Sequence, residues 1–174
     1  MISSSVSIIG TGLFGSNLAI SIAENNLTER IYLYDCSLTS NESYFPFENV
    51  LSGIKKPDIV AYNILKKNPS IKVFCCYDIV LARIIDELVI DCRDHKKPNI
   101  YADLRISSDS HSLILDSRKN NVNEHSHPFY YSKLDCSKWI KVQIPYVLNY
   151  LKDKKYCKDT RILHDFKDNI IMEI

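Results

Sequence analysis

Glycine is scarce in this chain. Only four of its 174 residues are glycine, and three of these lie within six positions, at Gly10, Gly12 and Gly15. Glycine is the residue that tight turns and close backbone approaches require. So uneven a distribution predicts that this short segment makes such a turn.

Other features are missing altogether. No apolar run approaches the length of a membrane-spanning helix, and the N-terminus lacks the basic start and apolar stretch of a secretory signal, so we expect a cytoplasmic protein. The net charge of +1 provides no general attraction to nucleic acid or to a membrane. The six cysteines include no Cys-x-x-Cys pair, so we expect reduced thiols and no structural zinc site.

The glycines that are present lie between a predicted buried strand, 6–9, and a predicted helix, 16–25. A Gly-x-Gly-x-x-Gly turn in that setting is typical of dinucleotide binding, with the phosphate at the helix N-terminus. Asp35 ends the next apolar run, 31–35, about twenty residues after the last glycine, where a ribose-binding carboxylate is expected. The alternative is a tight turn of an α/β domain that holds no ligand.

Predicted strands and helices alternate in the first half of the chain, which is typical of a parallel sheet. The further elements that we predict are helices at 57–67 and 79–87, strands at 71–75 and 88–92, a hairpin of strands at 102–106 and 112–115, a mobile loop at 119–128, a helix at 139–151 that Pro145 bends or divides, and a final strand or ordered tail at 169–174.

No repeat and no linker divides the sequence, so we predict a single domain over residues 1–174. Its fold class is α/β, a Rossmann-like three-layer fold with a mainly parallel sheet and some antiparallel strands in the C-terminal half. Residues 1–95 form the core nucleotide-binding half, and residues 96–174 form an irregular C-terminal half.

Four sequence features occur in the order found in the ThiF-like (ubiquitin-activating, adenylating) superfamily. The glycine turn comes first, and the strand ending at Asp35 with Ser40-Asn41 after it comes second. The third is a segment that contains Lys55-Lys56, a predicted helix, Asn68-Pro69 and a strand. This third segment is the most diagnostic, because ordinary dehydrogenases have no reason to keep it.

The fourth feature, Val89-Ile-Asp-Cys-Arg-Asp94, resembles the family's Val-x-Asp-x-x-Asp. The chain therefore resembles a shortened and partly degenerate member of this superfamily, over about residues 5–95. The resemblance implies an enzyme that binds ATP and Mg²⁺ and adenylates a carboxylate, often the C-terminus of a carrier or ubiquitin-like protein. It also implies a homodimer or a partner subunit.

The resemblance also implies the site residues. Those expected to bind the nucleotide are Gly10, Gly12, Leu13, Phe14, Gly15, Asp35, Asn41 and Lys56. Lys56 would meet the phosphates, with Lys55 as the alternative, and Asp94 would hold Mg²⁺. The expected catalytic residues are Lys56, Arg93 and Asp94.

The chain departs from the family pattern in ways that leave other functions open. Tyr44 and Phe45 stand where the family has Arg-Gln, so a cation that helps neutralise the triphosphate is missing. Arg93 either replaces that charge or pairs with Asp91. The alternatives are a catalytically inactive ThiF-like scaffold or interaction protein, and an NAD-dependent oxidoreductase, for which the sequence offers no convincing hydride-site histidine.

Overall fold

The computed structural model describes residues 1–40, 47, 51–78, 88–93, 102–108, 112–117 and 133–173. Its residues form two compact units, Met1–Val89 and Ile90–Ile174. The helix predicted at 79–87 and the loop predicted at 119–128 lie outside the described residues. The single domain stays a prediction.

The first unit contains a parallel sheet with helices between its strands. Strand β1 (Ser5–Ile9) pairs with β2 (Arg30–Tyr34), and β2 pairs with β3 (Lys72–Cys76), both in parallel. Helix α1 (Leu13–Glu24) follows β1, and α2 (Lys56–Lys67) precedes β3; the two helices contact each other. Because the strands run in the same direction, their carboxyl ends meet at one edge of the sheet.

The core of this unit explains why these elements form. All five residues of β1 are buried, as expected for a strand in the middle of a parallel sheet. The apolar side chains that pack here from the helices and β2 are Leu18, Ala19, Ile22, Ala23, Ile31, Leu33, Val60 and Ile64. Each leucine, isoleucine or valine side chain among them contributes roughly 1.5–3 kcal/mol when fully buried.

Helix α1 begins three residues before the predicted start because its N-cap is Gly12. The third glycine therefore lies within the first turn of the helix rather than before it. Helix α2 begins at Lys56, close to its predicted start, with Pro57 and Asp58 in the first turn. Proline tolerates that position because an N–H there has no partner within the helix.

The second unit is largely antiparallel. Strand β4 (Val89–Asp91), which lies at the boundary of the units, pairs in parallel with β5 (Leu104–Ser108). Strands β6 (Ser112–Asp116), β7 (Arg161–Asp165) and β8 (Ile170–Glu173) extend the order β5-β6-β7-β8 with antiparallel pairing. The predicted α/β class, with antiparallel strands in the C-terminal half, is confirmed; β7 was not predicted.

The long helix of the second unit, α3 (Lys133–Lys152), begins six residues before the predicted start and is not divided at Pro145. Its buried face carries Ile140, Ile144, Val147, Leu148 and Leu151, spaced at helical intervals. Burial of this face offsets the hydrogen bond that Pro145 removes. Among the described residues, none of the helices combines the length and the apolar character that a bilayer crossing requires.

Candidate nucleotide-binding site

The first two glycines of the turn between β1 and α1 are there for different reasons. Gly10 has a φ of +89°, in the left-handed region that favours glycine, and its N–H donates to the Tyr34 carbonyl at 2.8 Å. Gly12 has a φ of −72° and a ψ of −161°, which any residue adopts, and a Cβ placed on it would meet no atom within 4 Å. The fold requires glycine at position 10 but leaves open space beside the backbone at position 12.

The N-terminus of α1 is uncapped, although the Asp35 carboxylate bonds to Thr11, the residue before the N-cap. No side chain caps the helix, and its first turn has no acidic residue. The Ser16 hydroxyl donates to the Thr11 carbonyl at 2.8 Å and closes the turn. The positive end of the helix dipole and the first N–H groups, at Leu13 and Phe14, therefore favour an anion at this position.

Asp35 connects the end of β2 to the glycine turn. Its Oδ2 accepts hydrogen bonds from the Thr11 N–H at 2.9 Å and the Thr11 hydroxyl at 3.1 Å, and its Oδ1 accepts from the Ser37 N–H at 2.8 Å. The side chain is buried. A carboxylate has about four acceptor positions, so the contacts within the described part of the chain leave one, on Oδ1, for a ligand hydroxyl. Asp35 thus has a structural role whether or not it also binds ribose.

The two adjacent lysines differ in their contacts. The Lys55 ammonium donates to the Cys36 carbonyl at 3.1 Å and lies 5.6 Å from the centre of the Tyr77 ring, within range of a cation–π interaction. Lys56 is half-buried at the start of α2, and its ammonium has no hydrogen-bond partner among the described residues. Of the two charges, that of Lys56 is the more available to a phosphate.

Tyr77 and Asp58 were not predicted as site residues, since no motif marks them as such. The Tyr77 hydroxyl donates to Asp58 Oδ1 at 2.6 Å, and this bond is the main reason that the pKa of Tyr77 is raised to about 12. Burial, with a smaller contribution from Asp58, raises the pKa of the neighbouring Cys75 thiol to about 12. Cys75 therefore remains a protonated thiol at neutral pH and is a poor nucleophile.

In the second unit, Arg93 forms a two-pronged ion pair with Asp91. The guanidinium donates from Nε to Oδ1 at 2.9 Å and from Nη2 to Oδ2 at 2.8 Å, and Asp91 is buried. Such pairs are strong and geometrically specific. Of the two alternatives for Arg93, the pairing with Asp91 is present, and a phosphate would have to compete with it.

Two of the expected site residues, Asn41 and Asp94, lie outside the described residues. In the part of the chain that the structure describes, no cluster of three His, Cys, Asp or Glu side chains could hold a metal ion. The predicted roles of the site residues therefore stay predictions.

Together, the parallel β-α-β units, the glycine turn and the carboxylate after β2 define a Rossmann-like fold. One similar solved structure is E. coli MccB with ATP, at 15% identity and a TM-score of 0.68. Another is E. coli MccB with MccA, at 13% identity and a TM-score of 0.72. PaaA is similar at 14% identity with a TM-score of 0.64. MccB and PaaA are ThiF-like adenylating enzymes, so the predicted resemblance is confirmed as a likeness of fold.

These comparisons cover the whole chain but only part of each neighbour. The matches extend over 98–99% of this chain, whereas the chain spans 63–64% of the length of the MccB and PaaA structures. No protein-family model matches the chain, and no curated protein sequence is significantly similar to it.

Proposed function

We propose that this chain binds an adenine nucleotide, with ATP as the ligand, at the glycine turn between β1 and α1. The observation that carries the proposal is Gly12, which neither its backbone angles nor its neighbours require to be glycine. A phosphate that lies against the backbone at this position would explain why a side chain is absent. The uncapped N-terminus of α1 would supply the N–H groups and the favourable dipole.

Two further residues fit this ligand. The Lys56 ammonium has no hydrogen-bond partner among the described residues and would neutralise part of the phosphate charge. Asp35 keeps one acceptor position for a ribose hydroxyl, beyond its bonds to Thr11 and Ser37. E. coli MccB, which shares the fold, has been solved with ATP.

We further propose that the nucleotide serves to activate a carboxylate of a peptide or carrier protein. A carboxylate oxygen would attack the α-phosphorus of ATP, pyrophosphate would leave, and the product would be an acyl adenylate with a good leaving group. Structures of E. coli MccB with MccA support a peptide or protein partner for this fold. Mg²⁺ bound by Asp94, a homodimer or partner subunit, and a cytoplasmic location belong to the same proposal.

One observation favours a second candidate, a nucleotide-binding or interaction protein that does not adenylate. Arg93, the cation that could replace the missing family arginine, is already committed to the buried Asp91. Loss of one charge-assisted phosphate contact costs about 1.5–3 kcal/mol. Binding and adenylation must therefore be measured separately.

The first experiment is calorimetric titration of the full chain with Mg·ATP, with NAD⁺ in parallel. We expect saturable binding of ATP that Gly12→Ala abolishes without loss of folding. Lys56→Gln should weaken binding by about tenfold to a hundredfold, as expected for one charge-assisted contact. Lys55→Gln is the matched control and should weaken binding less, because the Lys55 ammonium already bonds to the Cys36 carbonyl and lies over the Tyr77 ring.

The possible results separate the candidate functions. Pyrophosphate exchange dependent on a carboxylate substrate would support adenylation, whereas ATP binding without exchange would favour the non-adenylating protein. Binding of NAD⁺ in preference to ATP would favour the oxidoreductase. A folded chain that binds neither ligand would leave only the scaffold.

A further inference from the structure

A second polar cavity lies at the opposite edge of the same sheet. It has a volume of about 540 Å³ and is formed by Met1, by the loops that lead into β2 and β3, and by the first residues of those strands. The glycine turn lies at the carboxyl ends of the strands, whereas this cavity lies at their amino ends. The cavity is therefore separate from the nucleotide site proposed above.

Two cations line the cavity side by side. Arg30 and Lys72 are directly paired residues of β2 and β3, so their side chains leave the same face of the sheet. Like charges opposite each other in a sheet are destabilising. Glu29, a carboxylate of the lining, forms no ion pair with either cation among the described residues.

The guanidinium of Arg30 is poorly satisfied by the protein. Its Nε is buried without a hydrogen-bond partner in the described part of the chain, and Nη2 makes a long contact of 3.5 Å to the Ser4 hydroxyl. Because Nε is buried, an anion in the cavity would meet the guanidinium through its Nη atoms, and the contact of Nη2 to Ser4 is weak. An anion is the ligand that would pair with both Arg30 and Lys72.

The wall of the cavity is held in place by Asn68. Its amide nitrogen donates to the Ala23 carbonyl at 2.8 Å and to Asn26 Oδ1 at 3.0 Å, and its amide oxygen accepts from the Ser70 hydroxyl at 2.7 Å. These bonds join the loop after α1 to the loop after α2. They also fix the amide oxygen of Asn26, which leaves the amide nitrogen of that side chain as a further donor.

From this arrangement we propose that the cavity is a binding site for the phosphate group of a small organic phosphate. The donors of Arg30, Lys72 and Asn26 come from three separate segments, which suits the several oxygens of a tetrahedral phosphate better than the two coplanar oxygens of a carboxylate. The polar remainder of the lining, including Thr28 and Ser70, would face the organic part of the ligand.

The test is a residue-resolved NMR titration of the full chain, at constant ionic strength, with inorganic phosphate, glycerol 3-phosphate and acetate. We expect saturable shifts of the backbone amides of residues 26–30 and 70–72 with both phosphates, tighter with the phosphomonoester. Arg30→Gln should weaken this binding by about tenfold or more. Lys66→Gln, an exposed lysine of α2 outside the cavity, is the matched control and should leave it unchanged.

Several outcomes would overturn the proposal. These are the absence of saturable shifts at residues 26–30 and 70–72, equal binding by Arg30→Gln, or an equal response to acetate. Shifts confined to residues 10–16 would mean that phosphate binds only at the glycine turn. If Arg30→Gln does not fold, Lys72→Gln replaces it, since Lys72 is exposed and the substitution leaves the core intact.

Discussion

At the scale of single residues, the glycine turn contains two positions that respond differently to the same substitution. Gly10 has a φ of +89°, so Gly10→Ala forces a side chain into the left-handed region at a cost of about 1–2 kcal/mol. Gly12→Ala fits without a clash in the ligand-free chain and should change the free energy of unfolding little. Urea unfolding of both variants measures the difference. If Gly12→Ala lost more stability than Gly10→Ala, Gly12 would be the position whose backbone conformation requires glycine.

Asp35 is the residue whose functional and structural roles are hardest to separate. Asp35→Asn should lower the free energy of unfolding by about 1–3 kcal/mol without any nucleotide, because an amide N–H₂ would face the donors of Thr11 or Ser37. Thr11→Val removes only the hydroxyl bond and should cost less. Urea unfolding without ligand measures both changes. Equal stability of Asp35→Asn and wild type would show that these bonds contribute little.

At the scale of elements, Asn68 connects the C-terminal ends of α1 and α2. Asn68→Ala removes its bonds to Ala23 and Asn26 and should destabilise the first unit by about 1–3 kcal/mol. Asn63→Ala is the matched control, since within the described residues its amide bonds only to the Ile59 carbonyl of its own helix. Thermal unfolding compares the two variants. Equal losses would mean that the link between the helices has no special role.

His164 in β7 makes the second unit sensitive to acid. It is buried, stacks on Phe166 and meets the edge of Tyr146, and burial lowers its pKa despite opposing effects of Asn169 and Asp165. The unfolded chain binds a proton at about pH 6.5, more readily than the folded chain. Stability should therefore be full above that pH and decrease as the pH falls through the lowered pKa of the folded state.

The measurement is the free energy of unfolding from urea titrations between pH 7.5 and 5. His164→Phe keeps an aromatic ring among Tyr146 and Phe166 but cannot be protonated, so its stability should decrease less over this range. If the two proteins lose stability in parallel, His164 is not the responsible group.

At the scale of the whole molecule, ligand binding tests whether the chain unfolds as one domain. Trp139, the one tryptophan, lies in α3 of the second unit, whereas the proposed nucleotide site lies in the first. ATP at about one hundred times its dissociation constant should stabilise the folded state by about 2.7 kcal/mol. If the chain is the predicted single domain, ATP should shift the midpoint of unfolding equally whether unfolding is followed by Trp139 fluorescence or by far-UV circular dichroism. A shift absent from the fluorescence would show that the units unfold independently.

The amino-acid sequence by itself determined the local features of this protein. Hydrophobic runs bounded by polar residues predicted β1, β2, β3 and the β5–β6 hairpin, because strand and helix periodicity depends on neighbours in the sequence. The glycine spacing and the Lys…Asn-Pro segment were enough to indicate the ThiF-like fold. Strand β7 was missed because Arg161-Ile-Leu-His-Asp165 has only two aliphatic residues and ends in charges, and its pairing with β6 depends on residues distant in the sequence.

Only the tertiary structure decided which polar groups are paired. It places Asp35 against Thr11 and Arg30 beside Lys72, and neither contact follows from a motif. For Arg93 it decided between the two alternatives in favour of the pairing with Asp91. Burial and hydrogen bonding are set by residues that are far apart in the sequence and meet only in the folded chain. The sequence therefore identified the turn at which we propose that a nucleotide binds, while the fold determined how the charged groups around it are paired.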